Sequence, residues 1–241
     1  MWYHKAASFP GWARPFGGRA VPKIRSVLFD LDGTLIDTNR LIIESFQYTL
    51  KRHLGREVPA AEIVSTFGRP LIEGLRHFSP EKAEEMLQTY RRYNEARHDA
   101  TTTLIPGVRE TLSALKGAGL SLAVVTSKRR GLALRGLRLF NLEVYMDAIV
   151  TPEDTVRHKP EPDPVLKALE LLRVNPKEAL MVGDSPLDLA CARAAGTYTA
   201  AALWSALPRE LLLAEKPDFL LTKMTELLEI CLPQEAREET A

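Results

Sequence analysis

Two aspartates that directly follow an apolar stretch are the residues of this sequence best suited to chemistry. Residues 24–29 have no helical period and predict a short buried strand, and Asp30, Asp32, Gly33 and Thr34 come after it. Carboxylates this close together repel one another, so their position indicates a bound cation, and hard carboxylate oxygens favour Mg²⁺. An ordinary turn is the alternative, since Asp-Gly is common in turns.

Further polar side chains stand at or just beyond the ends of later apolar runs. Thr126 and Asp184 each follow a run that predicts a strand, Lys159 comes after a shorter run, and Asp188 lies one helical turn beyond Asp184. From residue 106 onwards these runs alternate with helical patterns, which predicts an α/β fold: a Rossmann-like parallel sheet with helices on both faces. The carboxyl ends of parallel strands lie at one edge of a sheet, so we expect all these side chains to meet there.

Several carboxylates, one hydroxyl and one ammonium at one sheet edge fit phosphoryl transfer. One carboxylate attacks phosphorus and forms an aspartyl-phosphate, and Mg²⁺ offsets the repulsion between the nucleophile and the phosphoryl group. A second acid protonates the leaving oxygen and then activates water. The hydroxyl, the ammonium and the backbone N–H groups of the Gly33-Thr34 turn are expected to hold the phosphoryl oxygens.

A helical insertion separates the first predicted strand from the others. Residues 37–103 carry helical patterns with a break at 67–70, and they contain no strand pattern. Ser79 and Pro80 predict the N-cap and the first residue of the last helix of the insertion. We therefore expect a helical cap domain at 37–103 and a core domain made of residues 23–36 and 104–232.

The bulk properties are those of an ordinary soluble protein. The 241 residues are 45% hydrophobic and 26% charged, and a net charge of +1 gives no global attraction to nucleic acid or to a membrane. No apolar run approaches the length of a membrane span, and the two cysteines, neither in a metal-binding pattern, indicate a reducing cytoplasm. We expect residues 1–22 to be a flexible extension, residues 233–241 to be a tail, and the protein to be a monomer or a homodimer.

The ordered set of motifs resembles the haloacid dehalogenase (HAD) superfamily. The matching residues, in chain order, are Asp30-Leu31-Asp32-Gly33-Thr34, Thr126, Lys159 and Gly183-Asp184 with Asp188. The resemblance implies catalytic roles for Asp30 as nucleophile, Asp32 as general acid and base, and Thr126 and Lys159 at the phosphoryl group. It also implies that Mg²⁺ is held by Asp30, Asp32 (through its backbone carbonyl), Asp184 and Asp188. Because the dehalogenases lack the second acid, Asp32 indicates hydrolysis of phosphate esters or anhydrides, or a phosphomutase.

The insertion resembles the small helical cap of HAD phosphatases, which closes over the site and contacts the leaving group. Substrate specificity is therefore expected to depend on the break in the insertion and on the loops that face it. The candidate substrate-binding residues in these segments are Gly33, Thr34, Arg69, Ser127, Lys128 and Arg130.

Further residues of the sequence resemble those of the bacterial HAD-type inorganic pyrophosphatases. The matches are Asn39, the segment Tyr90-Arg91-Arg92-Tyr93-Asn94, and Lys128 with Arg130. The resemblance implies hydrolysis of inorganic pyrophosphate to phosphate. The related phosphoglycolate phosphatases share much of this pattern, so 2-phosphoglycolate or another small phosphomonoester is the alternative substrate. A β-phosphoglucomutase-like enzyme and a catalytically silent phosphate sensor are the remaining alternatives.

Overall fold

The structure is a computed structural model that describes residues 23–232, so the predicted extension at 1–22 and tail at 233–241 lie outside the described residues. The strands, in chain order, are β1 (Ser26–Phe29), β2 (Ile36–Asp37), β3 (Thr103–Leu104), β4 (Ser121–Val125), β5 (Ala148–Val150), β6 (Ala179–Gly183), β7 (Tyr198–Ala202) and β8 (Phe219–Leu221). The α-helices are α1 (Asn39–Leu54), α2 (Ala60–Val64), α3 (Leu71–Phe78), α4 (Ala83–Thr101), α5 (Val108–Gly117), α6 (Arg130–Leu139), α7 (Asp163–Leu172), α8 (Pro186–Ala194), α9 (Arg209–Ala214) and α10 (Leu227–Cys231).

The main sheet is parallel and confirms the predicted α/β fold. Its strand order is β5-β4-β1-β6-β7-β8, and every neighbouring pair is parallel. β1 lies between β4 and β6, so the residues that follow these three strands are neighbours at one edge of the sheet. All four residues of β1 are buried, which explains why its sequence shows no alternation of apolar and polar side chains.

Helices cover both faces of the sheet. Successive side chains of β1 point to opposite faces, so Val27 and Phe29 join one apolar cluster with α5, α6 and α10, while Leu28 joins another with α7 and α8. This burial on two sides fixes β1, and with it the position of the residue that follows it. The helix α9 was not predicted, because its six residues are too few to show a clear helical period of apolar side chains. In the described part, no helix combines the length and the apolarity that crossing a membrane requires.

The helical insertion has its own apolar cluster, formed by α1 to α4 with Phe46, Ile63, Leu75 and Met86 at its centre. Where the insertion joins the sheet, β2 and β3 pair as a two-residue antiparallel ribbon. The prediction that residues 37–103 contain no strand is therefore wrong at both ends. The ribbon forms because the two crossing segments lie side by side, a proximity that has no local sequence signal.

The last helix of the insertion begins later than its sequence predicts. α4 starts at Ala83, and Lys82 takes the N-cap position without a side-chain hydrogen bond. Ser79 is extended, and its hydroxyl donates to the Glu81 carboxylate at 2.5 Å. The predicted N-cap at Ser79 is wrong because residues 80–82 form a turn, so the helix starts three residues later than Pro80.

Candidate active site

The predicted strand-end residues lie together because they follow adjacent strands. Asp30 follows β1, Thr126 follows β4, and Asp184 follows β6. The backbone N–H of Asp30 donates to the carbonyl oxygen of Val182 in β6 (2.9 Å), and that of Thr126 donates to the carbonyl oxygen of Val150 in β5 (3.0 Å). The hydrogen bonding of the sheet therefore continues up to these residues and fixes their backbone positions.

The ammonium of Lys159 lies at the centre of the site. It donates to Asp30 Oδ1 (2.8 Å), to Asp188 Oδ1 (2.5 Å) and to the carbonyl oxygen of Val125 (2.7 Å), so all three of its N–H groups are used. Its side chain is only 3% exposed. Burial opposes the positive charge, but the two carboxylates outweigh burial and raise the pKa of Lys159, which makes it a permanent cation.

Three buried carboxylates surround this cation. Asp30, Asp184 and Asp188 each place one oxygen within 4.8 Å of the others. Burial raises the pKa of Asp30 to about 7, with Lys159 opposing the shift and Asp188 adding to it. Burial, followed by repulsion from Asp188 and Asp30, raises the pKa of Asp184 well above its usual value. Three carboxylates share one ammonium, so their full ionisation would leave an excess of negative charge that a divalent cation such as Mg²⁺ would neutralise.

Asp188 is held through both of its oxygens. Oδ1 accepts from Lys159, and Oδ2 accepts from the backbone N–H (3.0 Å) and the hydroxyl (2.6 Å) of Ser185. The contacts with Ser185 form a capping box at the start of α8. These contacts place Asp188 to orient Lys159. Asp188 belongs to the carboxylate cluster because one of its oxygens lies within 4.8 Å of oxygens of Asp30 and Asp184.

Asp184 packs against the loop that follows β1. Its Oδ1 accepts from the Thr34 hydroxyl (3.0 Å), while the Ser205 hydroxyl donates to the Asp184 backbone carbonyl oxygen (2.7 Å) and lies 3.3 Å from Oδ2. Gly33 has φ +81°, and a Cβ there would lie 2.3 Å from Asp184 Oδ2, so the close approach requires glycine. Trp204 donates from its indole N–H to the Gly33 carbonyl oxygen (3.0 Å). Sequence reasoning missed Trp204 and Ser205, because no local pattern places the segment after β7 beside residue 33.

The backbone of Gly33 and Thr34 does not supply the phosphate-binding N–H groups that the sequence predicted. The Gly33 N–H donates to the Ile36 carbonyl oxygen (2.8 Å), and the Thr34 N–H donates to the Leu31 carbonyl oxygen (3.4 Å), so the turn closes on itself. Among the described residues, no backbone carbonyl accepts from the N–H groups of Leu31 and Asp32. These two earlier N–H groups are therefore the ones available to an anion.

Asp32 keeps one carboxylate oxygen for a ligand. Its Oδ1 accepts from the Thr38 hydroxyl (2.7 Å) and from the Lys128 ammonium (2.6 Å). Its side chain is 22% exposed and lines a cavity at the sheet edge. Within residues 23–232, Oδ2 has no hydrogen-bond partner, which leaves it free to exchange a proton with a molecule in the cavity.

The cavity has a volume of about 600 Å³ and is bounded by the sheet edge on one side and by the helical insertion on the other. The sheet side carries the carboxylates, Thr126 and Lys159. The insertion side combines apolar side chains, such as Ile42 and Phe46 from α1 and Leu87 from α4, with polar ones, such as Arg69, Tyr90 and Asn94. A phosphorylated ligand at Asp30 would therefore place its leaving group against the insertion.

Three of the six predicted substrate-binding residues line this cavity, whereas Gly33, Thr34 and Arg130 do not. Arg69, Ser127 and Lys128 are in the lining. Arg130 is outside it, and its guanidinium pairs with the carboxylate of Asp154. The lining also contains Arg91, which belongs to the segment 90–94 singled out in the sequence, and two arginines that were not predicted as substrate contacts, Arg129 and Arg135. Their positions could not be read from the sequence, since they depend on how α4 and α6 are rotated about their axes.

Two contacts hold the insertion close to the sheet. Arg135 of α6 donates to the Asp99 carboxylate (2.8 Å) and to the Glu95 carbonyl oxygen (2.9 Å), both in α4. In the break of the insertion, a Cβ at Gly68 would lie 2.9 Å from Ser185 Oγ, at the start of α8. The insertion therefore covers the acidic cluster.

Comparisons with known proteins agree with this geometry. The sequence pattern of the haloacid dehalogenase-like hydrolases matches residues 27–202. A protein of Caldanaerobacter subterraneus subsp. tengcongensis, provisionally named pyrophosphatase PpaX, is 57% identical over 86% of this chain and 94% of its own length. Pyrophosphatase PpaX of Anoxybacillus flavithermus is 41% identical over 86% of this chain and 96% of its own.

Solved structures share the fold. A provisionally named phosphoglycolate phosphatase of Lactobacillus plantarum superposes with a TM-score of 0.79 at 27% identity, covering 86% of this chain and 99% of that one. A haloacid dehalogenase-like family hydrolase of Streptococcus pneumoniae gives a TM-score of 0.77 at 28% identity, covering 86% and 97%. The similarity spans the sheet and the helical insertion together.

Proposed function

Because the chain belongs to the haloacid dehalogenase-like hydrolases, we propose that it is a Mg²⁺-dependent phosphohydrolase that splits inorganic pyrophosphate into two phosphates. The observation that carries the reaction class is the buried Asp30 carboxylate, held at 2.8 Å by Lys159 beside an Asp32 with one oxygen free. The choice of pyrophosphate is supported by the names of relatives that are 41% and 57% identical.

Asp30 is the proposed nucleophile, and Lys159 is proposed to orient its carboxylate. The carboxylates of Asp30 and Asp184 and the backbone carbonyl of Asp32 would hold a Mg²⁺ ion, whose positive charge would keep Asp30 ionised and offset its repulsion from the substrate. Asp188 is proposed to act through Lys159, since its Oδ1 contacts that ammonium directly and its Oδ2 accepts two hydrogen bonds from Ser185. Attack of a carboxylate oxygen on phosphorus gives an aspartyl-phosphate and releases the first phosphate.

The transferred phosphoryl group is proposed to be held by hydrogen-bond donors on the sheet side. Thr126 Oγ accepts from the backbone N–H of Lys128 (3.1 Å), which leaves its own proton for a phosphoryl oxygen. Ser127, which lines the cavity, and the backbone N–H groups of Leu31 and Asp32 complete this set. Fixed donors of this kind stabilise the charge that develops in the transition state.

The leaving group is proposed to lie between Asp32 and the helical insertion, which acts as a cap. Asp32 donates a proton to it through the free Oδ2 and later takes one from the water that hydrolyses the aspartyl-phosphate. Lys128, which is bonded to Asp32, and Arg69 at the break bring positive charge to the same part of the cavity. This charge suits a leaving phosphate, which also needs less protonation than an alkoxide does.

A substrate panel tests the proposal. Phosphate release is measured with Mg²⁺ from pyrophosphate, 2-phosphoglycolate and β-glucose 1-phosphate, with Asp30→Asn as the inactive control. We expect the highest kcat/KM with pyrophosphate. A 2-phosphoglycolate value well above it would reverse the assignment, and a wild type as inactive as Asp30→Asn would favour a phosphate sensor. The cytoplasmic location, inferred from two cysteines that are both free thiols, and the oligomeric state stay predictions.

A further inference from the structure

Two buried polar residues of α4 face the cavity without a role in the reaction described so far. Tyr90 and Asn94 lie one helical turn apart, are 6% and 4% exposed, and line the insertion side of the cavity. Their surroundings are apolar: Tyr90 meets Phe46 edge-on, with 5.1 Å between ring centroids, and Leu87 lies beside them. Polar groups in such surroundings cost free energy unless they are hydrogen-bonded or bind a ligand.

The two residues belong to one hydrogen-bonded chain. The Asn94 amide nitrogen donates to Ser45 Oγ (3.1 Å) and to the Tyr90 hydroxyl (3.4 Å), and the Ser45 hydroxyl donates to the Leu41 carbonyl oxygen (2.6 Å). The Tyr90 hydroxyl also contacts Ser45. The protons of Asn94 and Ser45 are thus used within the insertion. Tyr90 is therefore the donor in its contact with Ser45, and because the O–H rotates about its C–O bond, this proton can turn towards a ligand instead.

Tyr90 faces the side of the cavity where the leaving group is expected. Burial, and then the negative charge of Asp32, raise the pKa of Tyr90, so its hydroxyl stays protonated and is a neutral donor in the cavity that the proposed general acid also lines. Thr66 is the other buried polar residue of the insertion in the described cavity lining, and its proton goes to the Ile63 carbonyl oxygen (2.7 Å). Tyr90 is therefore the buried side chain of the insertion that has a proton to offer.

We propose that Tyr90, held in place by Asn94 and Ser45, donates a hydrogen bond to the departing phosphate and thereby selects leaving groups that carry oxygen acceptors. This inference rests on the proposed pyrophosphatase function and names the residue of the insertion that reads the leaving group. A phosphate offers acceptors in every direction, whereas an aryl group offers none beside its leaving oxygen. A hydrogen bond to a charged acceptor changes a rate by about 10- to 100-fold.

Tyr90→Phe removes this donor and keeps the ring that packs on Phe46. The kcat/KM values for pyrophosphate and for phenyl phosphate are measured with Mg²⁺, and their ratio is compared with that of the wild type. We expect the ratio to fall by about tenfold or more. The loss should be in kcat rather than in KM, because the contact strengthens as negative charge accumulates on the departing phosphate.

Tyr93→Phe on the same helix is the matched control, since Tyr93 stacks on Tyr48 (4.4 Å between centroids) outside the cavity and its loss should leave the ratio unchanged. Asn94→Leu should lower the ratio in the same direction and add little when combined with Tyr90→Phe. Equal losses on both substrates, or an unchanged ratio, would overturn the inference. A wild type that does not hydrolyse pyrophosphate would overturn the proposed function itself, which separates the two failures.

Discussion

Replacing Lys159 with methionine removes the only ammonium that the structure places among the three buried carboxylates, while it keeps a long apolar side chain. In the wild type this ammonium is bonded to Asp30 and Asp188 and to the Val125 carbonyl oxygen. In Lys159→Met, both carboxylates are left buried without a counter-charge, and both lie within 4.8 Å of an oxygen of Asp184. The metal-free protein should therefore be strongly destabilised.

The size of the effect follows from the burial. Removing one partner of a buried ion pair costs about 3–5 kcal/mol, and for a chain of this size that lowers the melting temperature by about 10 °C. The loss should grow with pH. Without the ammonium, the pKa of Asp30 moves further above about 7, so the folded state retains a proton that the unfolded chain releases near pH 4. Raising the pH from about 4 towards the raised pKa of Asp30 therefore favours unfolding.

Thermal and urea unfolding in EDTA at pH 5 and pH 8, repeated with excess Mg²⁺, measure this effect. We expect a larger loss at pH 8, partial recovery of stability with Mg²⁺, and turnover that stays at least about 100-fold below wild type, since the fixed cation at the phosphoryl group is gone. Lys167→Met, which removes an exposed ion pair with Glu170 (2.8 Å), is the control and should melt within about 2 °C of wild type. The reasoning would be refuted if metal-free Lys159→Met also melted within about 2 °C of wild type at pH 8.

Three further predictions concern the same site. Between about pH 4 and pH 7, the unfolding free energy of the metal-free wild type should fall relative to that of Asp30→Asn, because burial raises the pKa of Asp30 from 3.8 to about 7. Urea unfolding of both proteins in EDTA measures this difference. A difference that does not change with pH would contradict the prediction. Gly33→Ala should weaken Mg²⁺ binding measured by calorimetry, because its Cβ would lie 2.3 Å from a site carboxylate, whereas Gly55→Ala, also left-handed but with nothing within 4 Å, should bind normally. Arg135→Gln should raise the KM for pyrophosphate several-fold, because it removes the hydrogen bond that holds α4 to α6, whereas Arg138→Gln on the same helix should leave this KM unchanged. Equal KM values for the two variants would show that the Arg135 hydrogen bond does not hold the insertion in place.

The apolar runs of the sequence were sufficient to predict the sheet and the position of its functional edge. β1 is buried on both faces, so it reads as a continuous run, and its end is marked by the change to Asp30. The same change occurs at Thr126 and at Asp184. Because parallel strands share a direction, three such changes are enough to predict that the side chains meet.

Helix starts and short ribbons were harder to predict. Ser79 and Pro80 have the residue types of a helix N-terminus, but residues 80–82 form a turn and α4 begins at Ala83. The β2–β3 ribbon consists of two residues on each side, too few for any period to appear. The ribbon also depends on a partner strand that is distant in the sequence, so neither of its two strands has a local signal.

The sequence by itself determined which chemical groups stand at the carboxyl ends of the strands, because a buried apolar run with a polar end is a local pattern. Only the tertiary structure decided which of their protons and lone pairs remain free. Lys159 donates to Val125, 34 positions away, and Trp204 to Gly33, 171 positions away. Arg130 is likewise drawn out of the cavity by Asp154. Hydrogen bonds act over about 3 Å in space whatever the separation along the chain, so no local pattern specifies their partners.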